Sequence, residues 1–220
     1  MPRRALAEKR PLLLASMAAA LAYFVLRQSP LVPEMWLIPL KGAGVALLAL
    51  YVFMRHAGAD ARLLGAVFVL AALGDMAIEF DQMAGAILFF AYHMLAIALY
   101  LRHPRENPRT SQKAAAVAML LLTPAIFWLL PAERADAWPI ALYGLALGGM
   151  AACAWLSAFS RYRVGIGAVL FLVSDLLIIA GMGPLMGERL HQWLTWPLYY
   201  LGQLLICLGV LQRLREAAER

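Results

Sequence analysis

The chain has 220 residues, of which 64% are hydrophobic and only 15% charged. A soluble domain is nearer half apolar and a quarter charged, and a chain this short cannot hide such an excess inside one core with a wet surface; lipid is the solvent this composition requires. The formal charge of +6 does not point to nucleic acid, because the basic residues fall in short clusters between apolar runs and not along one face.

A transmembrane helix needs about 20 mostly apolar residues. Eight stretches meet this, at about 11–28, 35–54, 63–80, 83–102, 114–131, 138–157, 164–182 and 193–212. The expected fold is all-α: one domain over 1–220, a polytopic membrane bundle of eight transmembrane helices. Met1-Pro-Arg-Arg ahead of the first apolar run resembles a signal peptide, but no polar mature domain follows, so an uncleaved first span is expected. Short connections with turn signals separate the spans: Ser29-Pro30, Ala57-Gly58, Pro104 to Pro108, and Gly181 to Gly187. Of the Lys and Arg residues, fifteen, Arg3, Arg4, Lys9 and Arg220 among them, fall at the ends and in every second loop. Only Arg27, Lys41, Arg134 and Arg189 face the other side, so both termini are expected to be cytoplasmic. Cys153 and Cys207 lie inside apolar runs and read as small core hydrophobes. An arginine-heavy, Pro- and Ala-rich chain without organelle signals suggests a bacterial inner membrane.

Five ionisable side chains remain within the spans: Lys41, Asp75, Glu79, His93 and Asp175. Such groups are costly in lipid, face the bundle interior and raise a functional-site hypothesis by default. Lys41, early in span two, reads equally as a lysine snorkelling to the outer headgroups. In "LGDMAIEFD" Asp75 and Glu79 are four apart and share a helix face. Two carboxylates in one dry region cannot both ionise cheaply, so one is expected to keep its proton. The alternative puts Glu79 at the wet outer end and leaves Asp75 a structural hydrogen-bonder. His93, a lone histidine in span four, reads as an interhelical hydrogen-bonder, and no spacing of His, Cys or acidic residues suggests zinc. Asp175 stands in "GAVLFLVSDLLIIAG" with only Ser174 as a polar neighbour. By position along their spans, Lys41, Asp75 and Asp175 are expected near one level in the outer half of the bilayer. "GAILFFAYH" at 85–93 echoes "GAVLFLVSD" at 167–175. The echo is a trace of an inverted repeat, a shared small-residue packing edge, or coincidence.

"LGDMAIE", "GAILFFAYH", "GAVLFLVSDLLI" and "YYLGQLLICLG", in this order over nearly the whole chain, resemble the YhhN family, also called the lysoplasmalogenase family. The chain departs from the family's common pattern at Pro39-Leu40-Lys41, where Lys-Pro is usual, and at Ala96, where a tyrosine often follows the histidine. The resemblance implies hydrolysis of the vinyl ether bond of lysoplasmalogens to a fatty aldehyde and glycerophospho-ethanolamine or -choline. It also implies that Asp75 and Asp175 form the catalytic pair, with Lys41, His93, Tyr199 or Tyr200, and Gln203 lining the site; Glu79 and Ser174, near the two aspartates in sequence, are counted with the substrate-binding candidates. The substrate partner is then a lysophospholipid or other ether lipid taken from the membrane. No cofactor and no metal are expected.

The chemistry suits two carboxyls split in their protonation, as in glycosidases, which meet a similar cation. Asp175, the more isolated, is the expected proton donor and Asp75 the ionised partner. Rival readings are a small proton-coupled transporter, which needs helix-breaking Gly or Pro pairs inside two spans, and a metal-dependent hydrolase, separable by a chelator.

Overall fold

The computed structural model describes residues 10–219. The apolar runs form eight α-helices: α1 (Arg10–Leu26), α2 (Glu34–Arg55), α3 (Ala59–Ala77), α4 (Gln82–Leu101), α5 (Thr110–Leu129), α6 (Ala137–Leu156), α7 (Ile166–Gly181) and α8 (Leu190–Ala218). A 3-10 turn precedes α6 and a π-helical turn, Arg161–Gly165, leads into α7. The described residues are 81% helical and hold one isolated bridge, Pro104 with Ser157. Each predicted span thus has its helix. By length and hydropathy, six helical segments among the described residues suffice to cross a membrane: α2, α4, α5, α6 with its 3-10 turn, α7 with its π turn, and α8. The chain is an integral membrane protein by this measure. The other two helices are α1, apolar but 17 residues long, and α3, whose 19 residues include Asp60, Arg62 and Asp75. Arg3, Arg4, Lys9, Arg220 and the Met1-Pro-Arg-Arg stretch ahead of span one lie outside the described residues.

Three boundaries differ from expectation. Helix α3 stops at Ala77, so Glu79 lies in the turn beyond it and not on a helix face with Asp75. The reason is local: the Asp81 carboxylate accepts the Ala84 N–H at 2.9 Å. That caps the start of α4 and commits the preceding residues to a turn. Span seven opens in the π turn. Helix α8 runs 29 residues, more than a bilayer's hydrocarbon needs at 1.5 Å per residue, and carries Arg213 and Arg215 inside it. Pro39, Pro124 and Pro197 sit within α2, α5 and α8, none of which is interrupted.

The described residues fall into two compact units, one up to Leu95 with Leu214 onward, the other Ala96–Arg213. In the first, buried Ser16 on α1 donates to the Gly44 carbonyl of α2 at 2.6 Å. Helices α2 and α3 meet at Gly42, where a Cβ would lie 2.9 Å from the Ala72 carbonyl oxygen; only glycine allows this approach. In the second unit the Phe127 ring of α5 stacks on Tyr143 of α6, centroids 6.3 Å apart. Helices α7 and α8 touch backbone to backbone: a Cβ on Gly167 would lie 2.7 Å from the Gly202 oxygen, and one on Gly202 2.6 Å from the Gly167 oxygen. Gly167, which opens the second copy of the sequence echo, therefore has a packing role of its own.

Candidate active site

The first unit holds Lys41, Asp75, Glu79 and His93. The close approach at Gly42 sets the neighbouring Lys41 of α2 against the end of α3. Its ammonium pairs with the Glu79 carboxylate at 2.5 Å, the side chains 15% and 39% exposed. Lys41 therefore has a specific carboxylate partner where snorkelling to headgroups was the competing reading. Asp75, in the last turn of α3, is only 3% exposed. Tyr23 of α1 is also buried and lies within electrostatic reach of Glu79, Arg27 and Asp75. The sequence marks Arg27 only as a charge that sets the orientation and gives no signal for Tyr23; a lone tyrosine in an apolar helix looks like any core aromatic. The arrangement is a cluster of acids, bases and a phenol at one end of three helices. His93 is fully buried on α4, its ring edge-on to Tyr92 at 5.2 Å.

The second unit holds Ser174, Asp175, Tyr199, Tyr200 and Gln203. Asp175 is buried in the middle of α7. Its Oδ2 accepts a hydrogen bond from the Tyr143 hydroxyl of α6 at 2.5 Å. Ser174 Oγ donates to the Phe171 carbonyl at 2.7 Å and makes a longer contact, 3.2 Å, to Asp175 Oδ1. A serine bonded back to its own helix is a common way to satisfy a hydroxyl in an apolar environment. Tyr143 is thus the main outside partner of Asp175, and it was not singled out from the sequence. One turn before Ser174, the Phe171 ring stands edge-on to buried Tyr199 of α8 at 5.2 Å. Trp196 packs on the same tyrosine. Gln203, one turn further along α8, is fully buried, while Tyr200 is half-buried. A buried carboxyl with a phenol donor can hold a proton, release it, and stabilise the anion that remains.

Among the described residues no group of three His, Cys, Asp or Glu side chains is arranged to hold a metal ion. No curated protein and no solved structure matches the chain. The family model that does match, the YhhN family, covers residues 36–210. That stretch takes in every candidate residue predicted from the sequence, and the chain belongs to the YhhN family.

Proposed function

We propose that the protein is an intramembrane hydrolase that cleaves the vinyl ether bond of lysoplasmalogen-type lipids. The observation that carries this reading is a buried aspartate, Asp175, in an otherwise apolar helix, met at 2.5 Å by the Tyr143 hydroxyl, in a chain of the YhhN family. The family includes lysoplasmalogenases.

A vinyl ether is opened by adding a proton to its β-carbon, which leaves an oxocarbenium ion. Water adds to the cationic carbon and loses a proton. The hemiacetal then collapses to a fatty aldehyde and the glycerol hydroxyl of the lysolipid. Net, one water is consumed and one carbon–oxygen bond is broken. Asp175 is assigned the proton donor. As its proton leaves, the Tyr143 hydrogen bond already in place strengthens while charge develops on the carboxylate, which is when such a bond accelerates a reaction. Asp75 is assigned the second carboxylate, which stabilises the cation and takes the proton from water, on the resemblance alone. Lys41, already paired with Glu79, belongs with the headgroup end of the substrate. The alkenyl chain comes directly from the bilayer, and both termini are assigned to the cytoplasm of a bacterial inner membrane.

A proton-coupled transporter would use the same buried acids. Against it, the proline-bearing helices α2, α5 and α8 continue without a break, whereas transporters of this kind bind at broken helices. The test is aldehyde release by purified Asp175→Asn and Asp75→Asn proteins. Losing an acid–base group lowers the rate roughly 100-fold or more, so full activity in both variants rejects the scheme. Proton uptake into liposomes coupled to a solute, with no aldehyde formed, favours the transporter.

A further inference from the structure

The two ends of the second unit differ in charge. At one end Arg134 and Arg189 are outnumbered by Glu133, Asp136 and Glu188. At the other, seven basic side chains from Arg102 to Arg213 face a single carboxylate, Glu106. A built scaffold holds this basic end together. The Ala158 N–H donates to the His103 carbonyl at 2.7 Å, and the Arg105 N–H to the Leu156 carbonyl at 3.1 Å. The Arg105 guanidinium donates to the Ser157 and Phe159 carbonyls at 2.8 and 3.0 Å. Phe159 is buried beneath them against the rings of His103 and Tyr100. The loop after α4 is thereby clasped to the loop after α6.

The clasp gathers like charges. Burial first, and then the charge of Arg161, push the Arg105 guanidinium below its ordinary value. In the π turn the Ser160 carbonyl accepts the N–H groups of Arg163 and Val164, and Arg163 reaches Gln212 on α8. Tyr162, between the two arginines, is 79% exposed. Clustered cations repel unless an anion stands among them. An exposed tyrosine at the end of an apolar span is the usual anchor at headgroup level. A membrane lipid meets both features, because it brings a phosphate for the arginines and an apolar body for the ring.

We propose that the face formed by the clasped loops and the π turn, with Arg109, Arg161, Tyr162 and Arg163 at its surface, binds the headgroups of anionic phospholipids in the surrounding membrane. The test uses the full chain in bilayers of phosphatidylcholine with either brominated phosphatidylglycerol or brominated phosphatidylcholine, with tryptophan quenching as the measure of relative affinity. The expected result is a preference for phosphatidylglycerol that weakens as sodium chloride is raised. Arg161→Gln with Arg163→Gln lowers that preference roughly fivefold for each cation removed, while Arg189→Gln at the other end leaves it unchanged. Equal quenching by both lipids, a preference insensitive to salt, or full preference in the double variant overturns the proposal. So does inorganic phosphate at millimolar level abolishing the preference, since the site is then one for free anions. The salt titration uses the wild-type chain and stands even if the double variant fails to fold.

Discussion

Tyr143→Phe removes one hydroxyl and keeps the ring that stacks on Phe127, so it isolates the 2.5 Å hydrogen bond to Asp175. Two magnitudes follow from the role assigned to Asp175. At rest, with the acid protonated, this is a neutral interhelical hydrogen bond. Such bonds contribute about 0.6 kcal/mol on average in membrane proteins, with about 1.7 as an upper value. During proton transfer the acceptor becomes a carboxylate, and hydrogen bonds to charged groups are worth about 1.5–3 kcal/mol. Catalysis therefore loses more than stability does: kcat falls roughly 10- to 100-fold, while the unfolding free energy changes by about 1 kcal/mol. The assay is aldehyde release at saturating substrate, beside a double-mutant cycle of Tyr143→Phe and Asp175→Asn in reversible detergent unfolding. Unchanged kcat together with two additive single variants and no coupling refutes the claim that Tyr143 holds and tunes this carboxyl. A coupling near 3 kcal/mol with kcat unchanged shows that Asp175 is already ionised at rest, which reverses the assignment of proton donor.

The Lys41–Glu79 pair is partly exposed, which limits its worth to about 0.5–1 kcal/mol. Lys41→Met and Glu79→Gln should each destabilise by that amount, and the double variant by no more than either alone, as measured by thermal unfolding. If Lys41 also meets the phosphate, Lys41→Met raises KM for a lysolipid while Glu79→Gln does not. Gly202→Ala places a methyl 2.6 Å from the Gly167 oxygen, where α7 and α8 can separate only by moving backbone. Overpacking of this kind costs about 1–3 kcal/mol, so a lowered melting temperature is expected. An unchanged one means that the two helices do not meet there.

The helices were legible because hydropathy marks the apolar runs: every expected span has its helix, and six of these, among the described residues, are long and apolar enough to cross a membrane. Their ends were less so. Asp81 looked like an ordinary turn residue, but its capping of α4 is what ends α3 early and takes Glu79 off the helix face. The π turn gave no signal, since its "RYRVG" reads as a basic loop running into an apolar helix. Of the candidate residues, the ionisable ones stood out because a charge in an apolar run is costly and raises a functional-site reading by default. Tyr143 and Tyr23 did not stand out. In "IALYGLALGG" a tyrosine has the composition of a core aromatic, and only the packing of α6 on α7 puts its hydroxyl on Asp175. Lys41 was ambiguous for a related reason: its partner, Glu79, is 38 residues away, and no helical periodicity connects the two.

Offering the purified protein a vinyl-ether lysolipid and an ester lysolipid of the same chain length and headgroup, with free fatty aldehyde as the readout, tests the central claim most directly. The account predicts aldehyde from the vinyl ether, no fatty acid from the ester, and loss of the aldehyde signal in Asp175→Asn. Fatty acid released from the ester, or no aldehyde from a folded protein in lipid, contradicts it.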